Sequence, residues 1–501
     1  VIYFGVVMTN VLEFLENNHS CNYLIDKNRK ITYDELLINS KKIGTYLGKI
    51  IRKNSPVPIY MEKGTKTLEV FMGSIYAGGF WTLLNVGLPD NRIKQIMEVL
   101  DTDYIVTDYD NFEKIKSIFE DKQIILYDDM IKEKIDDKRL QKIRKASIDL
   151  DPVYANFTSG STGVPKGVLV SHRGVIDFIN TFTKTFKINK NDVIGNQAPF
   201  DFDVSIKDIF SALKMGSTLV IIPKELFSSP AKLLDFIDDN HVTTLIWAVS
   251  ALCLVSTFHG LDYKTPKNIK KILFSGEVMP IKHLKYWMNH LKRATFVNLY
   301  GPTEITCNCT YHIIDRKRDY DLIPIGDSFV NREVFLLKNN KLVSEDDVKG
   351  EICVRASTLA LGYYKDSVQT SKSFVQNPLN DAYIDMIYKT GDLGYYHSGE
   401  LYFGGRVDFQ VKYLGHRVEL EEVDKAIEDI DEIVRSITLF QEEKSKLINF
   451  YIGNIDSKTL HQKLRNDLPI FMVPTKYIQL EEFPLSKNGK VDRKKLKEMI
   501  K

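Results

Sequence analysis

The chain has 501 residues, 44% of them hydrophobic and 27% charged, and a formal net charge of +2. That length exceeds what one hydrophobic core serves and predicts two or more domains, in a composition typical of soluble globular proteins. Near-neutrality argues against wholesale nucleic-acid binding. The five scattered cysteines (Cys21, Cys253, Cys307, Cys309 and Cys353) argue against a disulfide framework and fit a reducing compartment.

In chain order, the apolar opening Val1 to Val7 is too short to span a bilayer and carries neither a basic leader nor a cleavage signature. Met8 is a candidate natural start, and the expected location is the cytoplasm. Asp34 to Ile51 is patterned as an amphipathic helix, and Val57-Pro-Ile-Tyr60 as a short strand. Val153-Tyr-Ala-Asn-Phe157 and Gly167-Val-Leu-Val170 are strands on either side of a loop. Gly216 to Ile222 and Ile269 to Phe274 are buried strands. This alternation predicts an α/β architecture with largely parallel sheets. Glu333-Val-Phe-Leu-Leu337 and Glu351-Ile-Cys-Val-Arg355 follow as two strands flanking a polar connection. A boundary is expected near Gly404-Gly-Arg-Val-Asp408. Beyond it, a helix over Glu419 to Asp431, strands around Ile437 and Ile448 and a basic tail suit a small α+β domain. Cys307 and Cys309 have no second Cys/His pair at zinc-like spacing, so no metal is expected there.

The loop Thr158-Ser-Gly-Ser-Thr-Gly-Val-Pro-Lys-Gly167 packs three glycines, four hydroxyls and a lysine into ten residues. Successive amides in such a loop can form an anion-binding nest, with Thr158, Ser159, Ser161 and Thr162 as hydroxyl donors and Lys166 as a mobile cation. It is not the G-x-x-x-x-G-K-[ST] phosphate loop, because a glycine follows Lys166 and no helix opens there. Asn298-Leu-Tyr-Gly-Pro-Thr-Glu304 offers Tyr300 to a flat base and Glu304 to a hard cation, although an ordinary strand-to-turn connection has the same letters. Tyr388-Lys-Thr-Gly-Asp392 sets an acid after a tight turn, suited to ribose hydroxyls or to a simple Asp turn. Lys490 sits on the Asn-Gly turn of Phe483-Pro-Leu-Ser-Lys-Asn-Gly-Lys-Val-Asp-Arg493, where a lysine is ordinarily solvated.

Taken together and in this order, these segments resemble the adenylate-forming enzyme superfamily of acyl-CoA synthetases, luciferases and amino-acid adenylation domains. The resemblance runs from Ile31-Thr-Tyr-Asp-Glu-Leu36 to Lys490, almost the whole chain. Within the superfamily the chain is similar to free-standing amino-acid adenylation enzymes. Leu273-Phe-Ser-Gly-Glu-Val-Met-Pro280, Gly405-Arg-Val-Asp-Phe-Gln-Val-Lys412 and Asn488-Gly-Lys-Val-Asp-Arg-Lys-Lys495 resemble D-alanine–carrier protein ligases in particular.

The resemblance implies a large domain of mixed and parallel sheets over residues 1–405 and a small mobile α+β domain over 406–501, hinged at Asp408. It implies ATP and Mg²⁺. Thr158, Ser159, Gly160, Ser161, Thr162, Gly163 and Lys166 would hold the β- and γ-phosphates. Tyr300 would pack on adenine, Thr303 and Glu304 would serve phosphate and metal, and Asp392 with Arg406 would hold the ribose. Lys490 would bridge the substrate carboxylate and the α-phosphate. The acyl pocket would be lined by Phe202, Asp203, Val204, Lys207, Ser250, Ser275, Gly276, Leu299 and Cys307, with Asp203 facing the substrate's ammonium unless it merely caps a helix.

The implied reaction makes aminoacyl-AMP and pyrophosphate, then loads the phosphopantetheine thiol of a separate carrier protein, because the chain ends eleven residues after Lys490. An acyl-CoA synthetase and a silent nucleotide-binding paralogue are the alternatives, and a monomer without membrane insertion is expected. Ser275, Leu299 and Lys207 depart from the D-alanine ligase pattern. Lys207 would neutralise an acidic group of the substrate, pair with Asp203 one helical turn back, or face water. Gly79-Phe-Trp-Thr-Leu-Leu-Asn85 departs from the common adenylation pattern without a functional reading.

Overall fold

The computed structural model describes residues 8–18, 20–160, 163–484 and 491–500. They form two compact units. The first comprises residues up to Val86, Leu100–Asn156 and Gly167–Val407, and the second comprises Gly87–Val99, Phe157–Lys166 and the residues from Asp408 onward.

The first unit contains a nine-stranded sheet whose centre is parallel. Its strands run in the spatial order Thr295–Tyr300, Lys271–Ser275, Thr244–Ala248, Val193–Asn196, Thr218–Ile221 and Tyr23–Ile25. Lys30–Thr32 closes one edge, and Thr310–Ile313 with Asp327–Ser328 closes the other, all antiparallel. Leu245, Ile246 and Trp247 are consecutive and each fully buried, the signature of a parallel strand covered on both faces. A second sheet has a parallel centre of Pro152–Thr158, Phe80–Leu83, Pro56–Tyr60, Tyr104–Thr107 and Gln123–Leu126. Arg332–Lys338, Gly350–Ala356, Met386–His397 and Glu400–Arg406 belong to a third sheet, which is antiparallel. The α/β expectation holds.

Local chemistry explains where expected boundaries move. The first long helix runs Tyr33–Leu47 because Thr32 and Glu35 form a reciprocal capping box at its start. Gly216 belongs to no strand. At φ +65° it is the left-handed cap ending helix Val204–Met215, so the following strand starts only at Thr218. Asp392 does not follow a tight turn as expected. It lies inside the twelve-residue strand Met386–His397, whose pairing shifts register between Glu351 and Cys353 and again between Leu393 and Gly394. The unexplained Phe80-Trp81 segment is core, with Trp81 stacked on Phe71 at 4.6 Å between ring centres.

In the second unit, Gln410–Tyr413 pairs with His416–Glu419, and Ile433–Gln441, Lys446–Gly453 and Lys476–Gln479 form a three-stranded sheet. Helix Leu420–Glu428 is shorter than the expected 419–431 span; with Ser457–Asp467 it covers that sheet through Val423, Ile427, Leu460 and Leu464. Among the described residues no helix is long and apolar enough to cross a membrane.

Candidate active site

The strand order of the nine-stranded sheet reverses at Val193–Asn196, which has Thr218–Ile221 on one side and Thr244–Ala248 on the other. Open α/β sheets bind ligands in the crevice beyond the carboxyl ends of their strands at such a switch point. Asn196, Ala248, Ser275 and Tyr300 each end a parallel strand. Gln197 bridges the crevice by accepting from the Ala248 amide at 3.2 Å. The predicted residues Ser250, Ser275, Gly276, Leu299 and Tyr300 therefore come to one edge. Phe202, Asp203, Val204 and Lys207 join them at the start of helix Val204–Met215.

Asp203 is not a capping residue: it stands at the N-cap position, but its side chain makes no capping bond. Its carbonyl accepts from the Cys307 thiol at 3.1 Å. Burial pushes that thiol well above its ordinary range, so it stays protonated. Lys207 does not face water. It is 1% exposed, and its Nζ donates to Ser275 Oγ at 3.2 Å and Asn308 Oδ1 at 2.9 Å. Burial pulls its pKa down, while Asp203 and Asp208 act electrostatically in the opposite direction. Deeper still, Asn196 donates to Asp208 Oδ2 at 2.7 Å, and burial pushes Asp208 up to about 8. Lys63 donates to Asn196 Oδ1 at 3.2 Å and the Gln197 carbonyl at 3.0 Å. Leu299 is buried, whereas Phe202, Val204, Ser250 and Gly276 are half-buried.

At the end of strand Thr295–Tyr300, the Tyr300 hydroxyl donates to Asp392 Oδ2 at 2.6 Å, and Arg406 donates to the other carboxylate oxygen. Burial first and the Asp392 charge second hold the phenol well above its ordinary pKa, so it remains a donor. The single turn Thr303–Ile305 then carries the fully buried Glu304, whose Oε1 accepts from the Tyr363 hydroxyl at 2.8 Å. Thr303 beside it is half-buried. Among the described residues, no three His, Cys, Asp or Glu side chains gather as a metal cage.

The loop of the second unit already holds an anion of the protein's own. The Gly160 amide donates to Glu422 Oε2 at 3.0 Å, and Ser159 Oγ donates to the Arg417 carbonyl at 2.9 Å. Glu422 also accepts from Arg92 at 2.6 Å in a buried ion pair, and burial raises its pKa against that pairing. A Cβ on Gly160 would lie 2.1 Å from the Val164 carbonyl oxygen, so only glycine fits this bend. Thr158, Gly163 and Lys166 are half-buried. Ser161, Thr162 and Lys490 lie outside the described residues. Asp408 opens the second unit's long segment, exposed, with Oδ1 accepting from the Gln410 amide at 3.2 Å.

Sequence reasoning missed four participants. Asn308 went unnoticed between the two cysteines, and Tyr363 lies 59 residues from the Glu304 it holds. Arg92 and Glu422 pair across 330 residues, with no local signal for either.

Comparison with known proteins bears on this constellation. The AMP-binding enzyme family matches residues 14–364. Gramicidin S synthase 1 of Brevibacillus brevis is 29% identical over 95% of this chain, which spans only 43% of that longer protein. The D-alanine--D-alanyl carrier protein ligase of Bacillus licheniformis is 27% identical over 95% of this chain and 96% of its own length. The fold is that of the Vibrio cholerae adenylation domain AlmE, solved with glycyl-adenosine-5'-phosphate. There the TM-score is 0.82 at 20% identity, covering 100% of this chain and 99% of that one. With the family match extending over more than half of its length, the chain belongs to the AMP-binding enzyme family.

Proposed function

We propose that the chain activates an amino acid as its adenylate and transfers it to the phosphopantetheine thiol of a carrier protein. The observation that carries the amino-acid reading is Asp203, a carboxylate at the switch-point edge that its own helix does not use as a cap. An ammonium would complement that carboxylate, whereas a plain fatty or aryl acid offers no positive charge to match it. The relatives named as a carrier protein ligase and a gramicidin synthase support the same reading.

The chemistry brings two anions together. A carboxylate oxygen of the substrate attacks the α-phosphorus of ATP, the bond to the β-phosphate bridge breaks, and pyrophosphate leaves with that electron pair. In this reading Tyr300 packs on adenine, and Asp392, held by Tyr300 and Arg406, accepts from ribose hydroxyls. The Thr158–Gly167 amides with Lys166 hold the β- and γ-phosphates, and Lys490 bridges carboxylate and α-phosphate. Such preorganised donors offset the repulsion between the reactants and fix the in-line geometry. Glu304, a buried carboxylate steadied by Tyr363, is a hard oxygen donor that would hold Mg²⁺. When bound there, Mg²⁺ supplies charge neutralisation on the phosphates. In the second step the carrier thiolate attacks the acyl carbon and AMP leaves with the bonding pair, after Lys490 withdraws by rotation about Asp408.

The reading is tested by incubating the chain with Mg²⁺, ATP, an amino-acid mixture and a phosphopantetheinylated carrier protein. Intact-mass analysis is expected to find an aminoacyl thioester on the carrier. Adenylate without thioester would confine the reading to its first half.

A further inference from the structure

The least expected group at the switch-point edge is a lysine. Lys207 is 1% exposed, and its Nζ is fixed from two directions by neutral oxygens, Ser275 Oγ at 3.2 Å and Asn308 Oδ1 at 2.9 Å. An ammonium carries three donors, so one direction remains for a further acceptor. Ser275 ends a parallel strand, and Asn308 is next to Cys307, whose thiol donates to the Asp203 carbonyl. The amine thus shares the predicted acyl pocket with the carboxylate one turn before it on the same helix. A brace between helix and strand would need no charge, since an apolar side chain would span the gap without the cost of burying an ammonium.

A substrate whose α-ammonium takes Asp203 adds a positive charge beside Lys207, on which Asp203 and Asp208 already act electrostatically. The open donor direction of Nζ then fits an anion delivered by the substrate itself, distinct from the carboxylate that reacts.

Resting on the amino-acid reading above, we infer that Lys207 is a specificity-determining residue that pairs with a side-chain carboxylate, so that the substrate is an acidic amino acid. Ser275 and Asn308 are positioning residues that aim its Nζ.

The test is ATP–pyrophosphate exchange by the full chain with both enantiomers of aspartate and glutamate, their amides, and the remaining amino acids. One acidic amino acid is expected to exceed its own amide by about 100-fold in kcat/KM, because the amide leaves the buried cation unpaired. Lys207→Met is expected to lower that acid-to-amide ratio at least about tenfold, whereas Lys207→Arg retains a preference for the acid. If Lys207→Met fails to fold, the wild-type panel still decides. Exchange driven by another amino acid with no preference for acid over amide overturns the inference and leaves amino-acid adenylation standing. If no amino acid drives exchange in a chain that calorimetry finds still binding ATP, both readings fail.

Discussion

The Tyr300 hydroxyl lies 2.6 Å from Asp392 Oδ2, joining the end of a parallel strand to the middle of an antiparallel one within the same unit. The phenol thus has two faces of use, a ring for a flat base and a hydroxyl that orients a carboxylate. Tyr300→Phe keeps the ring and removes only the donor. A hydrogen bond to a charged group contributes about 1.5–3 kcal/mol, so KM for ATP is expected to rise about tenfold or more while kcat changes less. Exchange kinetics at varied ATP read this directly, and an unchanged KM would remove the Tyr300 hydroxyl from nucleotide binding.

Glu304 and Tyr363 form a graded pair. Glu304→Gln keeps the shape and removes the charge, and is expected to lower kcat/KM about 100-fold and to demand more Mg²⁺ for half-maximal rate. Tyr363→Phe removes one orienting bond and is expected to cost about tenfold. Magnesium titrations of both variants check the order. Equal losses would mean that the pair acts only through folding.

Gly160→Ala sets a methyl group against the Val164 carbonyl oxygen and disturbs the amide that Glu422 accepts from. Overpacking of this kind costs about 1–3 kcal/mol. The expectation is a local effect: ATP affinity by calorimetry falls about tenfold or more, while the melting temperature moves by only a few degrees or less. Wild-type ATP affinity in the variant would remove the loop from phosphate binding.

His172 makes the fold sensitive to acid. It is 2% exposed, and its Nδ1 accepts from the Val11 amide at 3.2 Å. Burial lowers its pKa from 6.5 to about 3. Between those values the unfolded chain binds a proton that the folded chain refuses, so stability is intact above pH 6.5 and is lost progressively as pH falls toward 3. The full loss is about 5 kcal/mol. His172→Asn is expected to be less stable at pH 7 yet to show a shallower fall in melting temperature between pH 6 and 4. A slope equal to wild type would place the acid sensitivity elsewhere.

Some of the parallel strands were legible because fully buried strands are continuous apolar runs, as at Ile272 to Phe274, where the expected boundaries moved by only a residue or two; Thr244–Ala248, equally apolar, was not anticipated. The anion-binding loop was legible because its glycines and hydroxyls are contiguous. Lys207 was not. A lysine on a helix is ordinarily solvated, and only the fold reveals that Ser275 and Asn308 close over it. Glu422 was illegible for a related reason: its partners Arg92 and Gly160 lie 330 and 262 residues away, and nothing in the local pattern links them. Asp392 was misjudged because a glycine before an acid has the letters of a turn, while Gly391 at φ +70° sits in an irregular stretch of a long strand.

The most direct measurement is pyrophosphate release by the purified chain with Mg²⁺ and ATP, across all amino acids and a matched set of fatty and aryl acids, with mass spectrometry of the acyl-AMP formed. An amino acid is expected to give both pyrophosphate and its adenylate, and fatty and aryl acids neither above background. Turnover of a fatty or aryl acid at the higher rate, with amino acids inert, would contradict amino-acid activation.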